Sequence, residues 1–447
     1  MRKKLTLSEN LLIGSLLFGL FFGAGNLIFP LELGQRSGAN ISLVTIGFLL
    51  SAVSLPILAV VATAASDSES LFDLSKAAGS KFAYFFTTLL YLTIGPGFAI
   101  PRTATTTYEV MFEGNESFYN SFGLLIFSLV FFALVLYFSI KKAKLIDTIG
   151  KFMTPLFLIL LSILLIFTIF KPMGPVGMNL PTPKYGSNAL AVGFVDGYNT
   201  LDAPAGLAFA IIIISSIKDL GVTDKKSMAL ETLKSGLVCL FAMSIIYTGL
   251  SFMGGASANI LDDFENGAVI LSQISEHYLG SLGHILLSII VFLACLKTAI
   301  GLVSACSEMF EEMLKNKLSY KTYCVIFSLV SLLIANLGLK QIITLSLPVL
   351  MFIYPISIVL IVVSIISIFM GKRKFVYQIS LGVTAAFAFL DFLKTTPDFI
   401  SKAPMVVKIL DFANNSLPGY EIGFAWVMPA VIAFIVGLLI DKKFIRN

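Results

Sequence analysis

Apolar stretches long enough to cross a bilayer recur from one end of the chain to the other, separated by short polar or basic turns. A transmembrane helix needs about 20 mainly apolar residues. The pattern predicts twelve: 7–36, 40–66, 82–111, 118–140, 147–171, 188–217, 228–254, 279–313, 320–338, 341–371, 375–394 and 421–441. The longest connections, about 172–187, 255–278 and 395–420, are too short for a soluble catalytic domain. The chain therefore reads as one all-α integral membrane domain over 1–447 that works within the membrane.

Composition sharpens that picture. Of 447 residues, 57% are hydrophobic and 13% charged, against about 25% charged in an ordinary globular domain. The basic start, Arg2, Lys3 and Lys4, leads into an apolar run far longer than the ~7–15 residues of a signal-peptide core, so it is kept as the first helix. Cys239, Cys295, Cys306 and Cys324 all fall inside predicted helices with no CxxC spacing, which suggests neither a disulfide framework nor a zinc site.

The placement of charge supports the helix count. With a cytoplasmic amino terminus, alternate turns carry Arg2–Lys4, then Lys76 and Lys81, then Lys141, Lys142, Lys144 and Lys151, then Lys218, Lys225 and Lys226. The same side then holds Lys315, Lys317 and Lys321, Lys372–Lys374, and Lys442, Lys443 and Arg446, in all 21 of the 31 basic residues. The opposite turns hold seven: Arg36, Lys171, Lys184, Lys340, Lys394, Lys402 and Lys408. Two of those turns are acidic, with Glu109, Glu113 and Glu116 in one and Asp262, Asp263, Glu265 and Glu276 in the other. Losing one helix would scramble this positive-inside alternation. Both termini are expected in the cytoplasm, with the lipid bilayer as surroundings and nothing pointing to nucleic acid.

No HExxH or GxSxG signature is present, and the only histidines, His277 and His284, sit near a predicted external helix end without an acidic partner at helical spacing. A carrier or channel is favoured over an enzyme. The informative places are where helices break. Helix one runs Gly19-Leu20-Phe21-Phe22-Gly23-Ala24-Gly25-Asn26 before resuming through Pro30. Each glycine weakens a helix by about 1 kcal/mol relative to alanine, and irregular backbone at membrane depth survives only where it is buried in protein or lines a wet cavity. The competing reading is close helix packing through Gly19-x-x-x-Gly23. Helix six carries Asp196-Gly197-Tyr198-Asn199-Thr200-Leu201-Asp202-Ala203-Pro204-Ala205-Gly206. A surface loop would explain that string only by leaving the apolar run before Asp196 too short to span. Breaks in helices one and six suggest five-helix repeats over about 7–171 and 188–371, with 375–441 peripheral. Five is odd, so the second copy enters the membrane inverted, as in many secondary transporters.

Five strings in order then resemble a known family: Phe21-Phe22-Gly23-Ala24-Gly25-Asn26-Leu27-Ile28-Phe29-Pro30, Gly95-Pro96-Gly97-Phe98-Ala99-Ile100-Pro101-Arg102-Thr103-Ala104-Thr105, Gly197-Tyr198-Asn199-Thr200-Leu201-Asp202, Ala299-Ile300-Gly301-Leu302 with Ala305-Cys306-Ser307-Glu308, and Pro348-Val349-Leu350 with Tyr354-Pro355. They are similar to the signatures of the bacterial branched-chain amino acid:cation symporters, and the resemblance covers essentially the whole chain. It implies the leucine-transporter fold of the amino acid-polyamine-organocation superfamily, and sodium-driven uptake of leucine, isoleucine and valine.

On that resemblance the substrate site takes Gly23, Ala24, Gly25 and Asn26, whose backbone N–H groups would meet the carboxylate. Tyr198, Asn199 and Thr200 would meet the ammonium. A sodium ion, the one cofactor implied, would sit between Gly19 and Phe22 on helix one and Ala294 and Thr298 on helix eight. Lys297 does not fit, because an ammonium cannot ligate sodium. A lysine inside a membrane helix is costly and marks a functional site by default. Two readings stand side by side: Lys297 points away to pair with a carboxylate such as Asp202 or Glu308, or its amine stands in for sodium and transport is proton-coupled or an exchange. Arg102 reads as a structural ion-pair or gate residue, Lys234 as a snorkelling residue, and Glu32 as part of an outer vestibule. A transporter-like amino acid sensor, binding without translocation, has the same sequence.

Overall fold

A computed structural model describes residues 4–112, 117–141, 146–261, 267–371 and 373–445. Glu113, Glu116, Asp262, Asp263 and Glu265 of the acidic turns lie outside the described residues, as do Arg2, Lys3, Lys142, Lys144, Lys372, Arg446 and the side chains of Lys442 and Lys443. The described residues are helical almost throughout and contain no strand.

Twelve crossings follow in chain order. Span one is Leu7–Phe21 and Ala24–Ser37; span two is Ile41–Leu49 continued to Leu55–Ala65; span three is Ser80–Leu92 and Ala99–Phe112. Spans four and five are Ser121–Ser139 and Ile146–Met153 with Thr154–Phe170, and span six is Ala189–Asp196 and Asp202–Asp219. Lys225–Ser257, Ser281–Met313, Tyr320–Ala335, Leu339–Met370, Lys374–Thr395 and Val427–Ile445 are spans seven to twelve. Two connections expected as loops carry helices of their own, Gly267–Leu279 and Pro404–Ser416.

Local chemistry fixes several boundaries. Thr6 starts span one: its hydroxyl accepts from the Glu9 N–H at 3.3 Å while the Glu9 carboxylate accepts from the Thr6 N–H at 2.7 Å, a reciprocal cap. An apolar helical run of 41 residues, Gly25–Ala65, would be about 60 Å long if straight, twice the hydrocarbon thickness. Gly38, at φ +49°, divides it into the end of span one and the start of span two.

Burial separates centre from rim. In the most apolar stretch of span eight 72% of residues are buried, in span four 28%, so eight is an interior helix and four presents apolar side chains to lipid. Spans eleven and twelve pack on each other and join the rest through span ten and the segment near Lys76. Four glycines bring helix backbones together. A Cβ on Gly34 would lie 2.0 Å from the Ser251 carbonyl oxygen, and one on Gly254 2.0 Å from that of Leu31, so spans one and seven touch backbone to backbone. Gly47 against Leu190 (2.0 Å) and Gly193 against Val44 (2.1 Å) do the same for spans two and six.

Candidate functional site

Three broken helices meet at one place. In span one Phe22 (φ −74°, ψ 91°) and Gly23 (φ −116°, ψ −155°) are extended between two helices. Gly23 gives its N–H to the Asn26 side-chain oxygen at 3.0 Å rather than to the Gly19 carbonyl, so the last carbonyls of the first half-helix lose their helical donors. In span six a tight turn, Gly197–Thr200, leads through Leu201 at φ +66° into the second half-helix, and the two halves are bent by 46°. A bulky residue held in the left-handed region is strained backbone of the kind that clusters at functional sites. The Thr200 hydroxyl holds the turn, donating to the Gly197 carbonyl at 2.8 Å and accepting from the Asp202 N–H at 3.3 Å. Span three has a break that the sequence reading did not anticipate: Gly95 (φ −87°, ψ −127°) is non-helical, and a new helix begins at Ala99.

Between these breaks lies a cavity with a polar and an apolar side. Gly23, Gly25, Asn26, Arg102, Thr200, Asp202 and Thr298 contribute to the polar side; Leu20, Ile94, Phe209 and Leu302 contribute to the apolar one. Asp202 is 2% exposed. It accepts from the Asn26 amide at 2.7 Å and the Tyr247 hydroxyl at 3.0 Å, and the same amide also donates to the Tyr247 oxygen. Arg102, 5% exposed, donates from Nη1 to the Asn199 carbonyl at 3.0 Å and lies over the Phe29 ring at 5.5 Å.

A second polar cluster adjoins the first. Lys297 is fully buried on span eight, and its Nζ donates to the Gly19 carbonyl at 3.0 Å and the Phe22 carbonyl at 2.6 Å. The Thr298 hydroxyl reaches the Gly19 oxygen at 3.5 Å, and Ala294 is buried one turn earlier. Rings of Phe157, Phe18 and Phe22 surround the ammonium at 4.7, 5.5 and 5.7 Å, a favourable setting for a cation. No carboxylate pairs with Lys297 among the described residues, so the reading in which it turns away to Asp202 or Glu308 is corrected: the orphan carbonyls at the break are closer. A sodium ion does not fit beside it, since the amine already occupies the carbonyl oxygens such an ion would need.

The expected substrate residues divide. Gly23, Gly25, Asn26 and Thr200 line the cavity, and the Ala24 backbone runs between them. Tyr198 does not line it; its ring stacks on Tyr354 at 4.1 Å, and its carbonyl accepts from the Leu201 N–H at 3.0 Å. The Asn199 carbonyl is taken by Arg102. Of the two readings of Arg102, ion-pair or gate residue, the ion pair is corrected: it is a cavity residue without an ion pair among the described residues. Asp202 and Tyr247 were not assigned to the site; Asp202 carried a signal, an acid deep in an apolar helix, whereas Tyr247 carried none. Lys234 reaches Glu231 at 2.7 Å with its side chain 42% exposed, as a snorkelling residue does. Glu32 pairs with Arg36, and the His284 ring nitrogen lies 3.1 Å from the Met111 carbonyl.

Comparison with known proteins places these features in a family. Residues 6–444 match the family described as branched-chain amino acid transport protein. The branched-chain amino acid permease BrnQ of Lactobacillus delbrueckii subsp. lactis is 45% identical over 439 residues, 98% of this chain and 97% of that one. BrnQ of Bacillus subtilis (strain 168) is 40% identical over 445 residues, 99% and 98% of the two chains. Among solved structures, the nucleobase-cation-symport-1 family transporter MHP1 with bromovinylhydantoin bound shares the fold at TM-score 0.61 and 12% identity, covering 97% of this chain and 92% of its own. MhsT in complex with L-phenylalanine does so at TM-score 0.57 and 16% identity, covering 98% and 99%.

Proposed function

Because the chain belongs to the branched-chain amino acid transport protein family, we propose that it carries leucine, isoleucine or valine into a bacterial cell, with the amine of Lys297 standing where a sodium ion would bind. The observation that carries this reading is the pair of contacts from Lys297 Nζ to the Gly19 and Phe22 carbonyls at 3.0 and 2.6 Å. They join span eight to the break of span one, beside a cavity whose polar and apolar sides suit an aliphatic amino acid.

The chemistry supports proton coupling or exchange. A charged amine bridges the two half-helix carbonyls as a sodium ion would, and its proton can come and go as the site alternates between wet and dry states. Loss of the charge weakens the bridge between spans one and eight, which gives each proton a mechanical consequence. Repeats over about 7–171 and 188–371, related by inversion with 375–441 outside them, are the scaffold we propose for alternating access, with both termini cytoplasmic.

Purified protein in proteoliposomes tests this. Counterflow of labelled leucine distinguishes a carrier from a sensor. Uptake is expected to follow an imposed pH gradient and to ignore a sodium gradient, while Lys297→Thr, which restores an uncharged oxygen ligand, should gain sodium stimulation. Strong sodium dependence of the unmodified protein would return the coupling to sodium and leave Lys297 a structural residue.

A further inference from the structure

We infer that Arg102 and Asp202 clamp the two ends of the substrate's zwitterion, the guanidinium taking the α-carboxylate and the Asp202 carboxylate the α-ammonium. This rests on the branched-chain amino acid reading above and adds the residues that recognise the common part of the three substrates.

Both side chains line one cavity, are nearly fully buried, and lie within electrostatic reach of each other without forming an ion pair among the described residues. Two opposite buried charges that stop short of contact are costly on their own. A molecule bearing both charges, set between them, pairs each.

The surroundings of each group assign the ends. Arg102 has five N–H donors, of which one hydrogen bond goes to the Asn199 carbonyl. Its Nη2 faces the first turn of Ala24–Ser37: a Cβ on Gly25 would lie 2.8 Å from it. A helix start leaves its first N–H groups without intrahelical partners and carries the positive end of the helix dipole. A guanidinium set against a positive helix end is unfavourable unless an anion lies between them, and an α-carboxylate is an anion with two oxygens to share. Asp202 opens the helix Asp202–Asp219, where a negative charge is favoured, and Asn26 and Tyr247 fix one of its oxygens. A carboxylate accepts about four hydrogen bonds, so it retains capacity for an ammonium. Leu20, Ile94, Phe209 and Leu302 are left to face the aliphatic chain.

Displacement of labelled leucine from the purified, full-length protein tests the clamp. Leucinamide lacks the carboxylate and 4-methylpentanoate lacks the ammonium; each should compete roughly thirtyfold or more worse than leucine. In Asp202→Asn, leucine should lose its advantage over 4-methylpentanoate and keep its advantage over leucinamide, and in Arg102→Met the reverse. Should either variant fail to stay monodisperse, the neutral Asp202→Ser and Arg102→Gln carry the same comparison. Equal competition by leucine and both analogues on the unmodified protein, or an equal loss of all three ligands in each variant, would overturn the clamp while leaving the transport reading intact. No binding of leucine, isoleucine or valine to the unmodified protein would overturn both.

Discussion

Asn26 ties together two helix breaks that have no covalent link. Its oxygen takes the Gly23 N–H, and its amide reaches Asp202 and Tyr247, so the breaks of spans one and six and the wall of span seven share one side chain. An unsatisfied buried partner costs about 1–3 kcal/mol, more when charged. Asn26→Ala is therefore expected to destabilise by about 2–3 kcal/mol. Asn26→Asp should do more harm, because it removes both donors and sets a second carboxylate beside Asp202. Thermal midpoints of the detergent-purified variants check the order; Asn26→Asp as stable as the parent would mean the network holds nothing. Lys297 and Arg102 stand out in the sequence because charged residues inside apolar helices are conspicuous, and Asn26 because it belongs to the string at the break of helix one. Their partners were another matter. That Lys297 meets the Gly19 and Phe22 carbonyls while Arg102 makes no ion pair among the described residues depends on which faces of three helices converge, and a one-dimensional pattern does not carry that.

Between helices, the reciprocal glycines decide how closely the broken elements are held. Gly193 in the first half of span six packs on the Val44 carbonyl of span two, and Gly47 returns the contact at Leu190. A methyl there must push the backbones apart, and overpacking costs about 1–3 kcal/mol. Gly193→Ala should thus lower the thermal midpoint and weaken leucine binding, because the turn at Gly197–Thr200 moves with its helix. Gly382→Ala in span eleven is the control: nothing lies within 4 Å of its Cβ position, so it should be neutral or gain up to about 1 kcal/mol. A similar loss in both variants would refute the role of close approach. Breaks one and six were legible because glycine, proline and carboxylates interrupt apolar runs there. The break at Gly95 was not. Gly95-Pro96-Gly97 sits in an apolar surround, and a proline within a membrane helix is compatible with a continuous, merely kinked one.

For the molecule as a whole, crossing number and expected sidedness are read from helix length and charge taken together. Length alone would undercount, since Leu7–Phe21 is a half-span and Tyr320–Ala335 has only 16 residues; the alternation of basic turns kept both in the count. Span seven provides the cleanest test of sidedness. Lys225–Ser257 has 33 residues, about 50 Å of helix, well beyond the ~30 Å hydrocarbon core, so the exposed Asp224 and Asn259 at its two ends stand on opposite faces. Lys218, Lys225 and Lys226 cluster at the Asp224 end and the acidic turn follows Asn259, so the positive-inside rule predicts Asp224 on the cytoplasmic side. The four native cysteines are buried and give little background. In intact cells a membrane-impermeant maleimide should label Asn259→Cys and spare Asp224→Cys until the membrane is opened. The opposite pattern would invert the whole topology, and with it the direction in which the half-helix ends around Gly25 and Asp202 face the cell.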